Sequence, residues 1–238
     1  MIDIHCHLLP GIDDGAKSWE VALKMCRMAA NDGIAHIVAT PHANYEYPYD
    51  RARYAVLLDE LRAQVPELTF SLGCDFHLSY ENVSDCLQHP ERYAIGETNY
   101  LLVELSEYSS YSVAETLYQL RAKGLTPIVT HPERNQLVLS TPTLLDDFAR
   151  VGALFQITAN ALTGSWGKPS QKFAETMLKK NMVHFIASDA HGVGGRPPIL
   201  SAGRDAAAKI VGEAVARELV DTNPAAVVCG QPLSQTTR

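Results

Sequence analysis

Short β-branched or apolar runs alternate with longer amphipathic segments along this 238-residue chain. That alternation predicts an α/β fold with a parallel sheet and right-handed crossovers. The runs are four to six residues long and mostly apolar, as in strands covered on both faces. There are seven of them. Seven strands suggest a closed, TIM-like barrel, and a doubly wound open sheet fits the same pattern.

The first expected strand is Ile2 to Cys6. A helix follows over Ser18 to Asp32, with Val21, Met25, Met28 and Ala29 as its apolar stripe and Gly33 as its stop. Next come a strand at His36 to Thr40, a helix at Asp50 to Val65 ending before Pro66, and a strand at Thr69 to Cys74. The strand Tyr100 to Leu105 precedes a helix at Ser112 to Lys123, which turns Leu117 and Leu120 inward and stops at Gly124. After the strand Thr126 to Thr130, Thr141 caps a helix with Pro142 in its first turn, ending near Gly152. Strands at Leu154 to Thr158 and His184 to Ser188 flank a helix at Ser170 to Lys180, and Ser201 to Asp221 is the last helix. No repeat, low-complexity tract or flexible linker interrupts the pattern, so residues 1–238 are expected to form a single domain with a frayed polar tail at 231–238.

Composition excludes some functions. No apolar run approaches the ~18 residues of a membrane span, so membrane insertion is not expected. The formal charge of −7 lacks the basic footprint of a nucleic-acid binder. The amino terminus has no basic stretch leading into an apolar one, so no secretory signal is expected. Five scattered cysteines without a Cys-x-x-Cys pair favour reduced thiols and a cytoplasmic setting.

The residues that follow each strand carry the chemistry. After the first come His5, His7 and Asp14; after the second, His42. The later strands end on Asp75, Glu104 and His131, and the last on Asp189 and His191. In an α/β barrel these ends meet on one face, where active sites are built. Each residue alone has a plainer explanation. Asp13-Asp14-Gly15 reads as a turn, and Ser188-Asp189-Ala190-His191 reads as a helix cap. Glu104, after Leu101-Leu102-Val103, would be a costly charge in an apolar strand unless partnered. A metal centre accounts for all of these positions together. His36, His89 and His184 match no such set, and His77 is only a supporting candidate beside Asp75. The run Asn44 to Asp50 should border the mouth, where its tyrosines stack on a substrate ring or simply form a surface loop.

These residues sit in motifs: Ile2-Asp3-Ile4-His5-Cys6-His7, Gly11-Ile12-Asp13-Asp14-Gly15, Thr40-Pro41-His42, Leu102-Val103-Glu104, His131-Pro132-Glu133-Arg134, and Ala187-Ser188-Asp189-Ala190-His191 with Arg196. Across roughly residues 1 to 200 the sequence resembles the polymerase-and-histidinol-phosphatase superfamily (the PHP fold). Within it, the closest resemblance is to the bacterial manganese-dependent tyrosine phosphatases of capsular and exopolysaccharide operons. The resemblance implies a distorted (β/α)7 barrel and three divalent metal ions. His5, His7 and Asp189 match the ligands of one metal, Glu104 and His131 those of a second, and Asp14, His42 and His191 those of a third. Arg134 and Arg196 match two arginines that grip phosphate. One departure is Asp75, where the family usually bridges two metals with the longer Glu.

Imidazoles and carboxylates without a thiolate suit manganese, iron or zinc, and the family inclines to manganese. Three divalent ions would outweigh the charge of Asp14, Asp75, Glu104 and Asp189 and favour a phosphate ligand. The implied reaction is in-line hydrolysis of a phosphotyrosine protein by activated water, with a bacterial tyrosine kinase tail as the partner. Proton delivery is left between His42 and a water at the metals.

A small-molecule phosphatase of the histidinol-phosphatase type would share this chemistry. A non-catalytic metal-binding regulatory barrel would not need the arginines. The spacing Cys86 to Arg92 matches a cysteine-dependent phosphatase loop, but Pro90 lacks an N–H and Glu91 carries the wrong charge for a phosphate cradle. The sequence does not fix an oligomeric state.

Overall fold

The computed structural model describes residues 1–105 and 113–233. In chain order its strands are β1 (Ile2–Cys6), β2 (His36–Ala39), β3 (His42–Ala43), β4 (Thr69–Leu72), β5 (Asp75–His77), β6 (Tyr100–Glu104), β7 (Thr126–Thr130), β8 (Leu154–Thr158) and β9 (Phe185–Ala187). The helices are α1 (Trp19–Asn31), α2 (Arg51–Gln64), α3 (Tyr80–Cys86), α4 (Val113–Ala122), α5 (Gln136–Ser140), α6 (Leu144–Arg150), α7 (Ala159–Leu162), α8 (Gly167–Lys179), α9 (Ser201–Val211), α10 (Glu213–Glu218) and α11 (Thr222–Val228). All strand pairs are parallel, in sheets ordered β1-β2-β4 and β3-β5-β6-β7-β8-β9. This is the expected α/β class.

Two expected strands end early, and a second short strand follows each. His36 to Thr40 stops at Ala39, and β3 resumes after Pro41, which has no N–H to donate. Thr69 to Cys74 stops at Leu72, and β5 resumes after Gly73-Cys74. Backbone bonds bridge both breaks, from Gly73 N to Ala39 O at 2.9 Å and from Asp75 N to Pro41 O at 3.0 Å. The outer strands also meet. Asp189 N donates to His5 O at 2.8 Å and His7 N to Ala190 O at 2.9 Å, and Cys6 bridges Ala190 in parallel.

Helix ends follow local chemistry. Ser18 caps α1 by accepting from Val21 N at 3.4 Å, and Asp50 caps α2 by accepting from Arg53 N at 3.0 Å. Thr141 does not cap the following helix as expected. It closes α5, which Asn135 caps, and α6 begins at Leu144. The helix expected from Ser170 starts earlier, at Gly167. The one expected over Ser201 to Asp221 breaks at Gly212, whose φ of 86° no helix tolerates, into α9 and α10. Ser112, the expected start of α4, and residues 234–238 of the expected frayed tail lie outside the described residues.

Two apolar clusters fill the interior. The larger packs the helices on the sheets. The smaller contains Ile4, Val38, Leu102, Ile128, Phe185 and Ala187 from five strands. Side chains alternate along a strand, so Glu104 lies on the same face as Leu102 and Thr130 on the same face as Ile128. An apolar layer therefore underlies a polar one. In β1 the register shifts between Asp3 and Cys6, the kind of irregularity that re-aims side chains beside a site.

Helix α9 crosses α7 at Gly203, where an added Cβ would stand 2.6 Å from the Cα and Cβ of Ala159. Helix propensity alone would make Gly203→Ala stabilising by roughly 1 kcal/mol, but the obstructing atoms are largely backbone and cannot swing aside. The variant should lose about 1–3 kcal/mol of stability in denaturant titration. A raised midpoint would contradict this packing.

Candidate metal centre

The polar layer gathers all nine expected donors. His5 and His7 Nε2 atoms are 3.2 Å apart, and Asp189 Oδ1 lies 3.4 Å from the first and 3.5 Å from the second. Asp75 Oδ2 stands among His5 Nε2 at 3.6 Å, His42 Nδ1 at 3.6 Å and His131 Nε2 at 3.8 Å. Asp14 Oδ1 lies 3.3 Å from His42 Nε2 and 3.2 Å from His191 Nε2. Glu104 Oε2 is 3.8 Å from His42 Nδ1, and His77 Nδ1 faces the same oxygen at 3.3 Å.

The ligand atoms form four overlapping groups: His7 with Asp14, His42 and His191; His5 with His7 and Asp75; His5 with His131 and Asp189; and His42 with Asp75 and Glu104. Glu104 thus falls with His42 and Asp75, whereas the resemblance paired it with His131. His131 falls with His5 and Asp189.

Buried donors that satisfy nothing else fit a divalent cation. Asp75 Oδ2, His42 Nδ1 and His191 Nε2 are buried and make no hydrogen bond among the described residues. Leaving such atoms unpaired costs free energy, and ions bound in the groups that contain them would use all three. The outer nitrogens of the innermost rings are held. His5 Nδ1 meets Gln156 Oε1 at 2.9 Å and His7 Nδ1 meets Asp13 Oδ2 at 2.8 Å, so both Nε2 atoms point inward, the usual support for a metal-binding imidazole.

Electrostatics follow from this crowding. Burial alone would push the His5 imidazole down, but Asp75 and Asp189 beside it raise it to about 9. Burial is likewise outweighed at His7, where Asp13 and Asp189 lift it to about 9. Burial and the neighbouring His7 push His191 down to about 4. The imidazoles of His191 and His42 beside it hold the Asp14 carboxyl well below the usual carboxylate range. Burial opposes ionisation of Asp75 and Asp189, yet the imidazoles around them keep both carboxyls far below their ordinary value.

Several supporting residues escaped the sequence reading. Asp13 fixes three elements at once: His7, Gly15 N at 2.9 Å and His42 N at 3.1 Å. A Cβ on Gly15 would collide with His7 O at 2.2 Å, so only glycine lets this loop close over His7. Asp3 is fully buried and accepts from Ser188 N at 3.0 Å and from the Ser188 hydroxyl. Burial raises its carboxyl to about 6. A carboxylate inside an apolar strand was a signal applied to Glu104 and equally available at Asp3. Glu133, also fully buried, accepts from Thr158 N and Oγ1, both at 2.8 Å.

The arginines flank Asp189. Arg134 and Arg196 both donate to its Oδ2, the latter at 2.5 Å. Beside them lies a cavity of about 360 Å³ lined by Glu104, His131, Arg134, Asn135, Gln136 and Trp166, among others. The three loop tyrosines separate. Tyr47 stacks on His42 with centroids 5.9 Å apart, Tyr45 is fully exposed, and Tyr49 is buried and donates to Gly73 O at 3.0 Å. Elsewhere, burial raises the Cys86 thiol to about 12, and Arg92 pairs with Asp85 at 3.0 Å. These two do not form a phosphate loop. His36 meets Thr69 and Ser71, and His89 lies 3.8 Å from Glu91, both outside the cluster.

Fold and site together define a class: α/β proteins that collect imidazoles and carboxylates at the carboxyl ends of parallel strands. Residues 1–229 match the family described as capsular polysaccharide synthesis, CpsB/CapC, and the chain belongs to that family. It is 36% identical over 199 residues to the tyrosine-protein phosphatase YwqE of Bacillus subtilis (strain 168), covering 81% of this chain and 78% of that one. It is 28% identical over 242 residues to the tyrosine-protein phosphatase CpsB of Streptococcus pneumoniae, covering 97% and 99%. The crystal structures of YwqE from B. subtilis and CpsB from S. pneumoniae, metal-dependent tyrosine phosphatases, include a chain matching this fold with a TM-score of 0.89. That match is at 31% identity and covers 98% of this chain and 96% of that one.

Two predictions follow from the geometry. A coordinating imidazole must be neutral, and the carboxylates beside His5 and His7 favour the protonated form of each up to about 9. Two N–H groups cannot face each other at 3.2 Å, so the pair holds one such proton near pH 7.5 and ion binding should release about one proton per chain. Calorimetry in buffers of different ionisation enthalpy reads this number, and zero release would refute the charge assignment. His131 holds a left-handed φ of 34°, so metal-free His131→Gly should be about 1 kcal/mol more stable than His131→Ala in urea. Equal stabilities would show that the backbone there is unstrained.

Proposed function

We propose that this chain is a metal-dependent phosphomonoesterase that hydrolyses phosphotyrosine in proteins. The observation that carries the reading is the convergence of Arg134 and Arg196 on Asp189, at the edge of the histidine–carboxylate cluster. Two guanidinium groups beside cation ligands suit a phosphate dianion and would serve no purpose in metal storage. This argues against a purely regulatory metal-binding barrel.

The proposed complement is three divalent ions, manganese foremost, with iron or zinc chemically compatible. His5, His7 and Asp189 would hold one, Glu104 and His131 a second, and Asp14, His42 and His191 the third, with Asp75 reaching between the first two. When bound, such ions supply Lewis acidity and a water nucleophile at neutral pH. The chain's own groups do the rest. Arg134 and Arg196 orient the phosphoryl group and offset charge on its equatorial oxygens. Asp13 and Gln156 keep the His7 and His5 rings facing inward. The leaving phenol has a pKa of about 10 and departs more readily than an alkoxide, so a strong acid is unnecessary, and either His42 or a water at the metals would share a proton.

The wider setting belongs to the same proposal. We read β2 with β3, and β4 with β5, as single bent staves, which makes a distorted (β/α)7 barrel in one domain. By family analogy the substrate is the tyrosine-rich tail of a bacterial tyrosine kinase that governs capsule or exopolysaccharide synthesis, met in the cytoplasm. Among the described residues no helix is long and apolar enough to cross a membrane.

Metal-stripped protein refilled separately with manganese, iron and zinc should hydrolyse a phosphotyrosine peptide and lose activity on chelation. It should prefer that peptide to histidinol phosphate by more than about tenfold in kcat/KM. Arg134→Ala should lower kcat/KM for the peptide by roughly one to two orders of magnitude at unchanged metal content. Preference for histidinol phosphate would overturn the substrate assignment, and unchanged turnover would remove Arg134 from the mechanism.

A further inference from the structure

We infer that Trp166 is a positioning residue that presents both arginines to phosphate, an inference resting on the phosphatase reading above. The guanidinium carbon of Arg134 lies 3.8 Å from the centroid of the Trp166 ring, and that of Arg196 lies 5.4 Å away. The same two side chains converge on one carboxylate oxygen, Asp189 Oδ2. Two positive groups so close repel, and a single carboxylate offsets only part of that repulsion. The negative face of an indole offsets more of it, and does so without occupying a hydrogen-bond donor. A guanidinium held over a ring face keeps its N–H groups for hydrogen bonds. Arg196 Nε is buried and makes no hydrogen bond among the described residues.

The turn that carries Trp166 is built to place it. It joins α7 to α8 as Gly164-Ser165-Trp166-Gly167, with φ of 86° at Gly164 and 82° at Gly167, values that side-chain-bearing residues rarely adopt. Gly167 N donates to Gly164 O and Ser165 N to Asn160 O, both at 3.0 Å. Gln171 Nε2 closes the turn from α8 onto Leu162 O at 3.0 Å. The turn therefore holds through its backbone and Gln171, while the indole leans on the arginines and forms one wall of the cavity beside Glu104 and His131.

The test is phosphate binding, which needs no turnover. Wild type, Trp166→Phe and Trp166→Leu are loaded with manganese and titrated with inorganic phosphate by calorimetry, each with and without Arg134→Ala. Leucine keeps apolar bulk but lacks the ring's charge distribution, so it should weaken binding about tenfold, whereas phenylalanine should cost less than about threefold. Metal content and thermal midpoint should stay at wild-type values. With Arg134 already removed, the leucine change should cost less than about threefold, because its principal partner is gone. Equal affinity in wild type and Trp166→Leu overturns the inference, as does an undiminished leucine effect in the Arg134→Ala background. Should the leucine variant fail to fold, Trp19→Phe leaves Trp166 as the remaining one of two tryptophans. Phosphate must then shift its emission, and an unchanged spectrum refutes the contact. Wild-type protein that binds no phosphate would sink the phosphatase reading itself. Binding that ignores Trp166 would sink this inference alone.

Discussion

Two backbone hydrogen bonds, Asp189 N to His5 O and His7 N to Ala190 O, join the first strand to the segment that follows the last. The buried Asp3 carboxylate reinforces that seam through the Ser188 N–H and hydroxyl, 185 positions away in sequence. Because side-chain direction follows backbone register, this seam places the His5 and His7 rings against Asp189 and His191. The rest of the mouth is arranged around that corner. Asp13 ties the next loop to it through His7 and His42 N, and Gln156 reaches His5 from β8.

The mouth is also an exercise in charge balance. Four carboxylates and five imidazoles with buried or partly buried atoms would be destabilising as isolated groups. Imidazoles and arginines hold Asp14, Asp75 and Asp189 ionised, and the carboxylates around the His5–His7 pair favour protons there. A cation takes the place of those protons with little rearrangement. Asp75, shorter by one methylene than the glutamate that the resemblance implies here, still reaches the imidazoles of His5, His42 and His131. Its strand carries it there, and Thr130 Oγ1 steadies its second oxygen at 3.2 Å.

Much of this was legible in the amino-acid order. Apolar runs marked the strands, and Ser18, Asp50 and Gly33 marked helix ends, because capping is local chemistry. The nine donors stood out because each falls at or soon after the carboxyl end of an expected strand. What sequence alone did not resolve is non-local. The bend at Pro41 depends on how β2 meets its neighbours, and helix periodicity runs straight through Gly212 although the backbone turns there. Helix α3 has too weak an apolar stripe to register in Tyr80–Cys86. Asp13 and Gln156 act on the far nitrogens of rings placed by other strands, so nothing in their own neighbourhoods announces the role. Trp166 is remote in sequence from both arginines and is invisible for the same reason.

The donors come from six separate stretches of chain: residues 5–14, 42, 75, 104, 131 and 189–191. An ion gripped by such a set recognises the native arrangement and not the unfolded polypeptide. Mass action then links supply to folding: at a free concentration a hundred times the dissociation constant, each such ion adds about 2.7 kcal/mol to the folded state. Scarcity of the ion would therefore withdraw structural margin along with chemistry, and the abundance of intact protein in a cell would track its metal status.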